Sequence, residues 1–421
     1  MGAQKVSHMG LDCHKNFSRV TARDEQGRIV WRGRLEHGDR QQLRAKLASW
    51  PKVPVVLEGT FGWGWISDEL AAAGQEPHLA NSRKTAGWRD ARGMAKSNRI
   101  DSDLLSELWT EKQRWWEIWL APAEVRDQRE WLHYRMSLVR VQTGIKNRIH
   151  AILHRHGILQ PFSDLFGKHG LAWLKELLED PEMLRESAKQ TLEGYLKLLK
   201  QFRQQIAAVT REMRRQVRRN PAGELWRSLP GVSFILAYSI LAEVGQISRF
   251  ANGRHLSSYS LLAPLADDSG DEGGPTAIGR HVGKLGRVTL KWAFIQAARR
   301  AAVKSEYFKA IFNRRTDNGQ RDRQRGYIAV ARELSRVGYS CLKNQRRFIE
   351  ERPERPEPRR PESKPQVAAP EPQPAEIQAQ PAEIQAQPTT RSQRPSPPEV
   401  RRARSPLGRR REKISRPRAS L

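Results

Sequence analysis

The sequence predicts an α/β domain built on a mixed sheet, then an all-helical region, then a tail without fixed structure. Three observations carry that expectation. Short apolar segments alternate with polar helical stretches from residue 5 to about residue 110. From about Ala123 to Arg219 apolar residues recur at helical period instead. Beyond Glu351, Pro, Arg, Gln and Ala displace the core-forming residues.

Val6–Lys15 opens the chain as an apolar run that reaches Asp12 and turns polar at Cys13-His14-Lys15. Phe17–Asp24 and Arg28–Leu35 are strand-like, so a three-strand meander should start the sheet. A polar helix is expected around Gly38–Trp50, then a strand over Val53–Gly59 that ends in Glu58. An apolar helix through Ile66–Ala73 and a short strand near Pro77–Ala80 follow. Arg83–Arg99 is basic, with Arg83, Lys84, Arg89, Arg92, Lys96 and Arg99. It reads as a phosphate-binding face or as an exposed loop and helix side. Lys96–Asp103 opens a helix and supplies Asp101. Trp63, Trp65, Trp109, Trp115, Trp116 and Trp119 could stack on bases, but their helical spacing favours packing.

In the helical region, Val125, Trp131, Leu132, Leu138, Val139, Ile145, Ile149, Ile152 and Leu153 form one stripe. Gly157 and Pro161 interrupt it, and a second stripe runs over Thr191–Arg219. Two such helices predict an antiparallel hairpin or coiled coil. His150 and His154 have metal-ligand spacing but no acidic companion, so a solvated helix face is expected. Leu229–Ser233, a helix through Ala237–Val244 and Gly245 then suggest a helix-hairpin-helix, whose amides contact phosphates. Arg249–Ala263 reads as a helix-turn element, and Val288–Val303 and Tyr327–Glu350 as helices. Pro264–Gly286 and the charged Asn313–Arg325 read as loops.

The chain has 421 residues and a formal charge of +29, which points to a polyanionic partner. No apolar run approaches the roughly 18 residues of a membrane span, and no secretory signal is visible. Cys13 and Cys341 are too few and too distant for a disulfide framework or a metal motif, which fits a reducing cytoplasm. Past Glu351 there are 16 basic and 8 acidic residues, so the tail holds about eight of the net charges.

Two stretches could carry chemistry. Asp12, Glu58 and Asp101 fall at two strand ends and on a helix, the arrangement by which oxygen ligands hold a hard divalent cation. Such sites serve in-line displacement at phosphodiesters. The second stretch is Asp267-Asp268-Ser269-Gly270-Asp271-Glu272-Gly273-Gly274. Glycine beside Ser269 permits close approach to a scissile phosphate, although composition alone also fits a polar surface loop. A calcium loop is excluded because Glu272 and Ile278 stand where Gly and Glu belong. A phosphate loop is excluded because Arg280-His281 replaces Lys-Ser/Thr.

Taken together, the motifs resemble the DEDD transposases of the insertion-sequence-110 family, the bridge-RNA-guided recombinases. The matching pieces are Gly10-Leu11-Asp12-Cys13-His14-Lys15, Leu57-Glu58-Gly59-Thr60, Lys96-Ser97-Asn98-Arg99-Ile100-Asp101-Ser102 and Lys146–Leu153. Further along they are Leu229-Pro230-Gly231-Val232, Glu243-Val244-Gly245, Phe250, Tyr259, Leu262-Ala263-Pro264, Ser269-Gly270 and Gly283-Lys284-Leu285-Gly286. The resemblance implies a RuvC-like, ribonuclease-H-like domain over residues 1–120 and a helical coiled-coil region over 121–222. It implies a small transposase domain over 223–351 and leaves 352–421 as the disordered Pro/Arg-rich tail.

By the same resemblance, Asp12, Glu58 and Asp101 are the Mg2+ ligands and Ser269 is the nucleophile. Donor and target DNA and a guide-type noncoding RNA are the implied partners. A dimer or tetramer acting at the bacterial nucleoid is implied too. Arg83, Lys84, Arg89, Arg92, Lys96, Arg280, Lys284 and Arg287 are the candidate nucleic-acid contacts. Two departures stand out. The family's third acid falls on Asn98, which offers an oxygen but no charge, and Asp103, two residues beyond Asp101, points roughly 200° away from it around the helix. The serine loop is acidic, which a phosphate would resist. A metal-dependent junction nuclease and a catalytically decayed RNA- or DNA-binding protein are the alternatives.

Overall fold

The meander forms as expected: β1 (His8–Cys13), β2 (Phe17–Arg23) and β3 (Ile29–Glu36) pair antiparallel in sequence. The structure is a computed structural model that describes residues 5–95, 97–111, 117–263 and 286–350. All of these lie in one unit ending at Pro353, and residues 352–421 lie outside the described residues. Beyond β1 the sheet continues with β4 (Pro54–Glu58) and β5 (Glu76–Ala80) in parallel. The two-residue β6 (Glu117–Ile118) closes the edge antiparallel to β5, giving the order β3-β2-β1-β4-β5-β6. β6 is too short to carry a pattern that sequence reading could find.

Alternation along the strands sorts side chains to two faces. Met9, Leu11, Cys13, Val55 and Leu57 share a core with Leu43 and Leu47 of α1 (Arg40–Ala48) and Ile66 and Leu70 of α2 (Trp63–Ala72). Val56 and Ala80 face the other way, onto Trp88 of α3 (Ser82–Ala91) and Leu104, Leu105 and Leu108 of α4 (Asn98–Leu108). This six-stranded mixed sheet, covered on both faces, is consistent with a RuvC-like DEDD fold. The basic segment thus begins as a helix, capped by Asn81, rather than as a loop.

α5 (Ala123–Arg155) and α7 (Glu186–Arg219) run antiparallel. Leu132 and Leu138 near the start of α5 meet Val209, Met213 and Val217 near the end of α7. Ile145, Ile149 and Ile152 meet Leu192 and Leu199, with Leu174 of α6 (Lys168–Glu179) added. The remaining helices are α8 (Pro221–Ser228), α9 (Phe234–Val244), α10 (Gly253–Tyr259), α11 (Val288–Lys304), α12 (Glu306–Thr316) and α13 (Arg323–Lys343). They share one core around Trp226, Tyr238, Phe294 and Phe308.

Helices α6, α8 and α12 were not expected from the sequence. Pro221 reads as a breaker there but occupies the first turn of α8, where its missing N–H costs nothing. α12 extends into the expected loop and ends where Asp317, Asn318 and Gly319 adopt positive φ. α7 begins five residues before Thr191, and α13 ends at Lys343, seven residues before Glu350.

Candidate active site

Gly10 sets the geometry of the acidic site. A Cβ there would collide with the Ser106 amide, the Ser102 carbonyl oxygen and the Leu105 carbonyl carbon, so α4 lies directly on β1. Hydrogen bonds give the direction of the helix. Thr21, paired with Gly10, reaches Ser102 Oγ at 3.0 Å, and Arg23, paired with His8, donates to Ser106 Oγ at 2.8 Å. One strand step of two residues therefore matches one helical turn, with α4 antiparallel to β1. Extending that register by one step places the first turn of α4, which begins at Asn98, alongside the C-terminal end of β1.

Glu58 arrives from the neighbouring strand. Leu11 pairs with Leu57 in the parallel β1–β4 ladder, so Asp12 and Glu58 end adjacent strands. By alternation both point to the α4 face, as Gly10 and Val56 do. Asp12 is buried with its Oδ2 3.0 Å from His14 Nε2, and the His14 ring leans on Phe17. Asp101 receives Arg89 Nη1 at 3.0 Å. The carboxylates of Asp101, Asp90 and Glu58 hold the Arg89 guanidinium above its ordinary range against the opposing effect of burial; the Asp101 hydrogen bond is the largest cause. Ser97 caps α4 by accepting from the Ile100 amide at 3.2 Å.

Asp103 is committed elsewhere. Burial disfavours its charge, but Arg32 and Thr21 outweigh that and hold the carboxyl below its usual range. Arg32 binds both carboxylate oxygens at 2.9 Å, and Thr21 donates at 2.7 Å. Asp103 thus braces α4 against the meander, on the side away from Asp12. No three His, Cys, Asp or Glu side chains among the described residues are grouped closely enough to hold a metal ion. Asp12 and Glu58 end adjacent strands, and carboxylate oxygens are the donors that a hard cation takes.

The candidate nucleic-acid contacts separate into two groups. Arg83 and Lys84 are exposed in the first turn of α3. Arg89 and Arg92 instead spend their charge on α4, at Asp101 and at Glu107, the latter at 3.0 Å. Lys96, Ser269, Arg280 and Lys284 lie outside the described residues. Trp63, Trp65 and Trp109 pack against Arg126, His37 and His78 rather than standing open, while Trp115 and Trp116 lie outside the described residues. The hairpin between α8 and α9 exists, but Gly231 (φ +81°) is pressed on Ala297 and Ala301 of α11, so its glycine serves packing.

Sequence reading missed a second polar cluster, at the C-terminal end of α9. Glu243 is only 2% exposed and faces Arg287 Nη1 at 3.3 Å and His133 Nε2 at 3.9 Å. Arg287 also donates to the Tyr259 hydroxyl at 3.1 Å. Arg129 donates to the Ala242 and Glu243 carbonyls at 2.9 and 3.3 Å, and Arg249 to that of Val244 at 2.8 Å. Positive charge at a helix C-terminus opposes the helix dipole favourably. Trp119, which follows β6, lies under both Arg129 and Arg249 and closes on Gly245 (φ +61°). No helix of the described residues is long and apolar enough to cross a membrane.

Comparison with known proteins gives two family matches along the chain. Residues 9–158 match the DEDD model of IS110 elements, described as a transposase. Residues 223–313 match the transposase IS116/IS110/IS902 family. The transposase for insertion sequence element IS1111A of Coxiella burnetii (strain RSA 493 / Nine Mile phase I) is 23% identical over 352 residues. That alignment covers 82% of this chain and 91% of that protein. The insertion element IS116 uncharacterized 44.8 kDa protein of Streptomyces clavuligerus is 26% identical over 138 residues, 33% of each chain.

Proposed function

The chain belongs to the IS110 family of insertion-sequence transposases, enzymes that cleave and recombine DNA, and from that premise we propose RNA-guided, Mg2+-dependent strand exchange with Ser269 as nucleophile. The observation that carries the metal-dependent part is the pair Asp12 and Glu58, ending adjacent strands on the face that α4 covers. These two would hold Mg2+, with the Asn98 amide oxygen and Asp101 as further candidate oxygen donors. A bound divalent cation supplies positive charge to the phosphodiester oxygens during displacement.

Ser269 provides the attacking oxygen. Its Oγ bonds to phosphorus as the bond from phosphorus to one sugar oxygen breaks. That oxygen takes up a proton, while the serine proton passes to water or a neighbouring carboxylate. Attack by a sugar hydroxyl of the second duplex reverses the step and frees the serine. The number of phosphodiester bonds is thereby conserved.

Arg83 and Lys84, with Lys96, Arg280 and Lys284, take backbone phosphates in this reading. Arg287, already held by Glu243 and Tyr259, presents the rest of its fork to the same polyanion. The large positive charge suits a second nucleic acid beside the DNA, a guide-type noncoding RNA whose pairing selects donor and target. Two duplexes brought together call for a dimer or tetramer, working at the bacterial nucleoid.

Wild type, Ser269→Ala and Asp12→Asn, incubated with labelled target DNA and Mg2+ and run on denaturing gels, test this. The expected result is a protein–DNA adduct in wild type alone. Binding should persist in every variant, since one side chain adds little to a large basic interface. Cleavage retained by Ser269→Ala but lost in Asp12→Asn would replace this reading with a junction nuclease. Tight binding without cleavage in wild type would leave a binding scaffold.

A further inference from the structure

We propose that the last turns of α7 and the start of α9 form a seat for the phosphate backbone of duplex DNA, centred on the ring of Phe234. The seat uses none of the cations named above. Arg211, Arg214 and Arg218 recur at spacings of three and four, so they share one exposed face of α7, turned away from the buried Val209, Met213 and Val217. Phe234 is the first residue of α9, directly after its cap Ser233. Arg214 and Arg218 bring their guanidinium carbons to 5.3 and 5.2 Å from the centre of its ring. Arg227 of α8 comes to 3.6 Å from the same point.

Three guanidiniums gathered at one ring repel one another, and the protein relieves only one of them. Arg227 has Glu224 at 3.1 Å, while the other nearby acid, Glu212, is taken by Arg215 at 2.6 Å. Among the described residues Arg214 and Arg218 have no carboxylate within ion-pair distance. The face of Phe234 attracts each cation and fixes where its planar fork stands, but an uncharged ring cannot neutralise them. A phosphate can, and an arginine fork matches two of its oxygens at once. Such contacts read no base sequence, so this surface positions the duplex and leaves the choice of site to other groups. DNA is the polyanion that the family cleaves and recombines, which favours it over RNA or an acidic protein.

Fluorescence anisotropy of a labelled DNA duplex with the full chain, over a range of KCl concentrations and without Mg2+, tests binding apart from cleavage. Arg214→Gln combined with Arg218→Gln should weaken binding. It should also flatten the plot of log affinity against log salt by about two, since each lost phosphate contact removes roughly 0.9 from the slope. Arg218→Gln alone should remove about one. Phe234→Leu keeps an apolar side chain without the ring and should weaken binding with the slope retained. Arg314→Gln combined with Arg315→Gln, on the exposed side of α12, takes away the same charge and should leave the slope unchanged. Circular dichroism and thermal unfolding establish that each variant is folded. An unchanged slope in the folded α7 double variant, an equal loss in the α12 pair, or full affinity in Phe234→Leu would overturn the inference. A slope that fell with RNA of matching length but not with duplex DNA would overturn the choice of DNA. None of these results depends on Ser269 or on a metal ion, so the strand-exchange reading stands or falls separately.

Discussion

Replacing Gly10 by alanine puts one methyl group where the backbone of α4 already lies. The atoms it meets belong to Ser102, Leu105 and Ser106 and are all main chain, so no rotamer change can make room. Either α4 lifts as a body or β1 bows. Overpacking usually costs about 1–3 kcal/mol, and rigid neighbours put this case near 3. Lifting α4 also stretches the bonds from Thr21 to Ser102 and from Arg23 to Ser106, each worth roughly 1 kcal/mol. The expected loss is about 3–5 kcal/mol, a large share of the ~5–15 kcal/mol that holds a typical protein folded.

Activity should fall further than stability explains, because α4 carries Asn98 and Asp101 of the proposed site. A displacement near 1 Å can cost about 100-fold in rate. Urea unfolding gives the first quantity. Strand cleavage at a temperature where the variant is fully folded gives the second. Gly87→Ala is the control, since its Cβ would meet nothing within 4 Å and a helical glycine is costly, so stability should rise by up to about 1 kcal/mol. A Gly10→Ala protein within 1 kcal/mol of wild type and with undiminished cleavage would refute the seating of α4 on β1.

Two further perturbations follow from the same structure. Glu243→Gln leaves the Arg287, Arg129 and Arg249 guanidiniums with no carboxylate at the end of α9 and should cost about 2–4 kcal/mol. The figure sits below that of a fully buried pair because Arg287 is partly exposed, and unchanged urea unfolding would show the network to be dispensable. His8 is 1% exposed, and burial, followed by the charge of Arg23, holds its imidazole below the ordinary value of about 6.5. The unfolded chain therefore binds more protons in that range. Stability from His8 is fully present above about pH 6.5 and is lost as pH falls through the lower folded value. The thermal midpoint should drop on acidification from pH 7.5 toward 5.5, less steeply in His8→Gln; identical slopes would remove His8 as the cause.

The frame of the sheet region was readable because its signals are local. Short apolar or strand-like runs mark β1 to β4, and each acid closes a strand or opens a helix. What stayed hidden depends on partners far along the chain. Gly10 is one more small residue in a strand until Ser102 and Ser106 come down on it. Arg83, Lys84, Arg89 and Arg92 look alike in sequence, and only the fold shows Arg89 on Asp101 and Arg92 on Glu107. Glu243 is a single acid in an otherwise apolar helix, and only the fold reveals the cations that permit its burial. Asp103 likewise finds its partners far along the chain, in Arg32 and Thr21 of the meander.

The α9 cluster also shows how the sheet and the helical region are joined. Trp119 leaves β6 at the edge of the sheet and slides beneath Arg129 of α5 and Arg249 beyond α9. Both arginines are anchored by their bonds to carbonyls at the end of α9, so the indole is gripped by groups that cannot swing away. Gly245 has positive φ and no Cβ, and any larger residue would strike the ring. From that same helix end, the Glu243 carboxylate holds Arg287, which immediately precedes α11. A continuous set of ionic and ring contacts therefore runs from the edge of the sheet that bears Asp12 and Glu58 to the residue closing the stretch that bears Ser269.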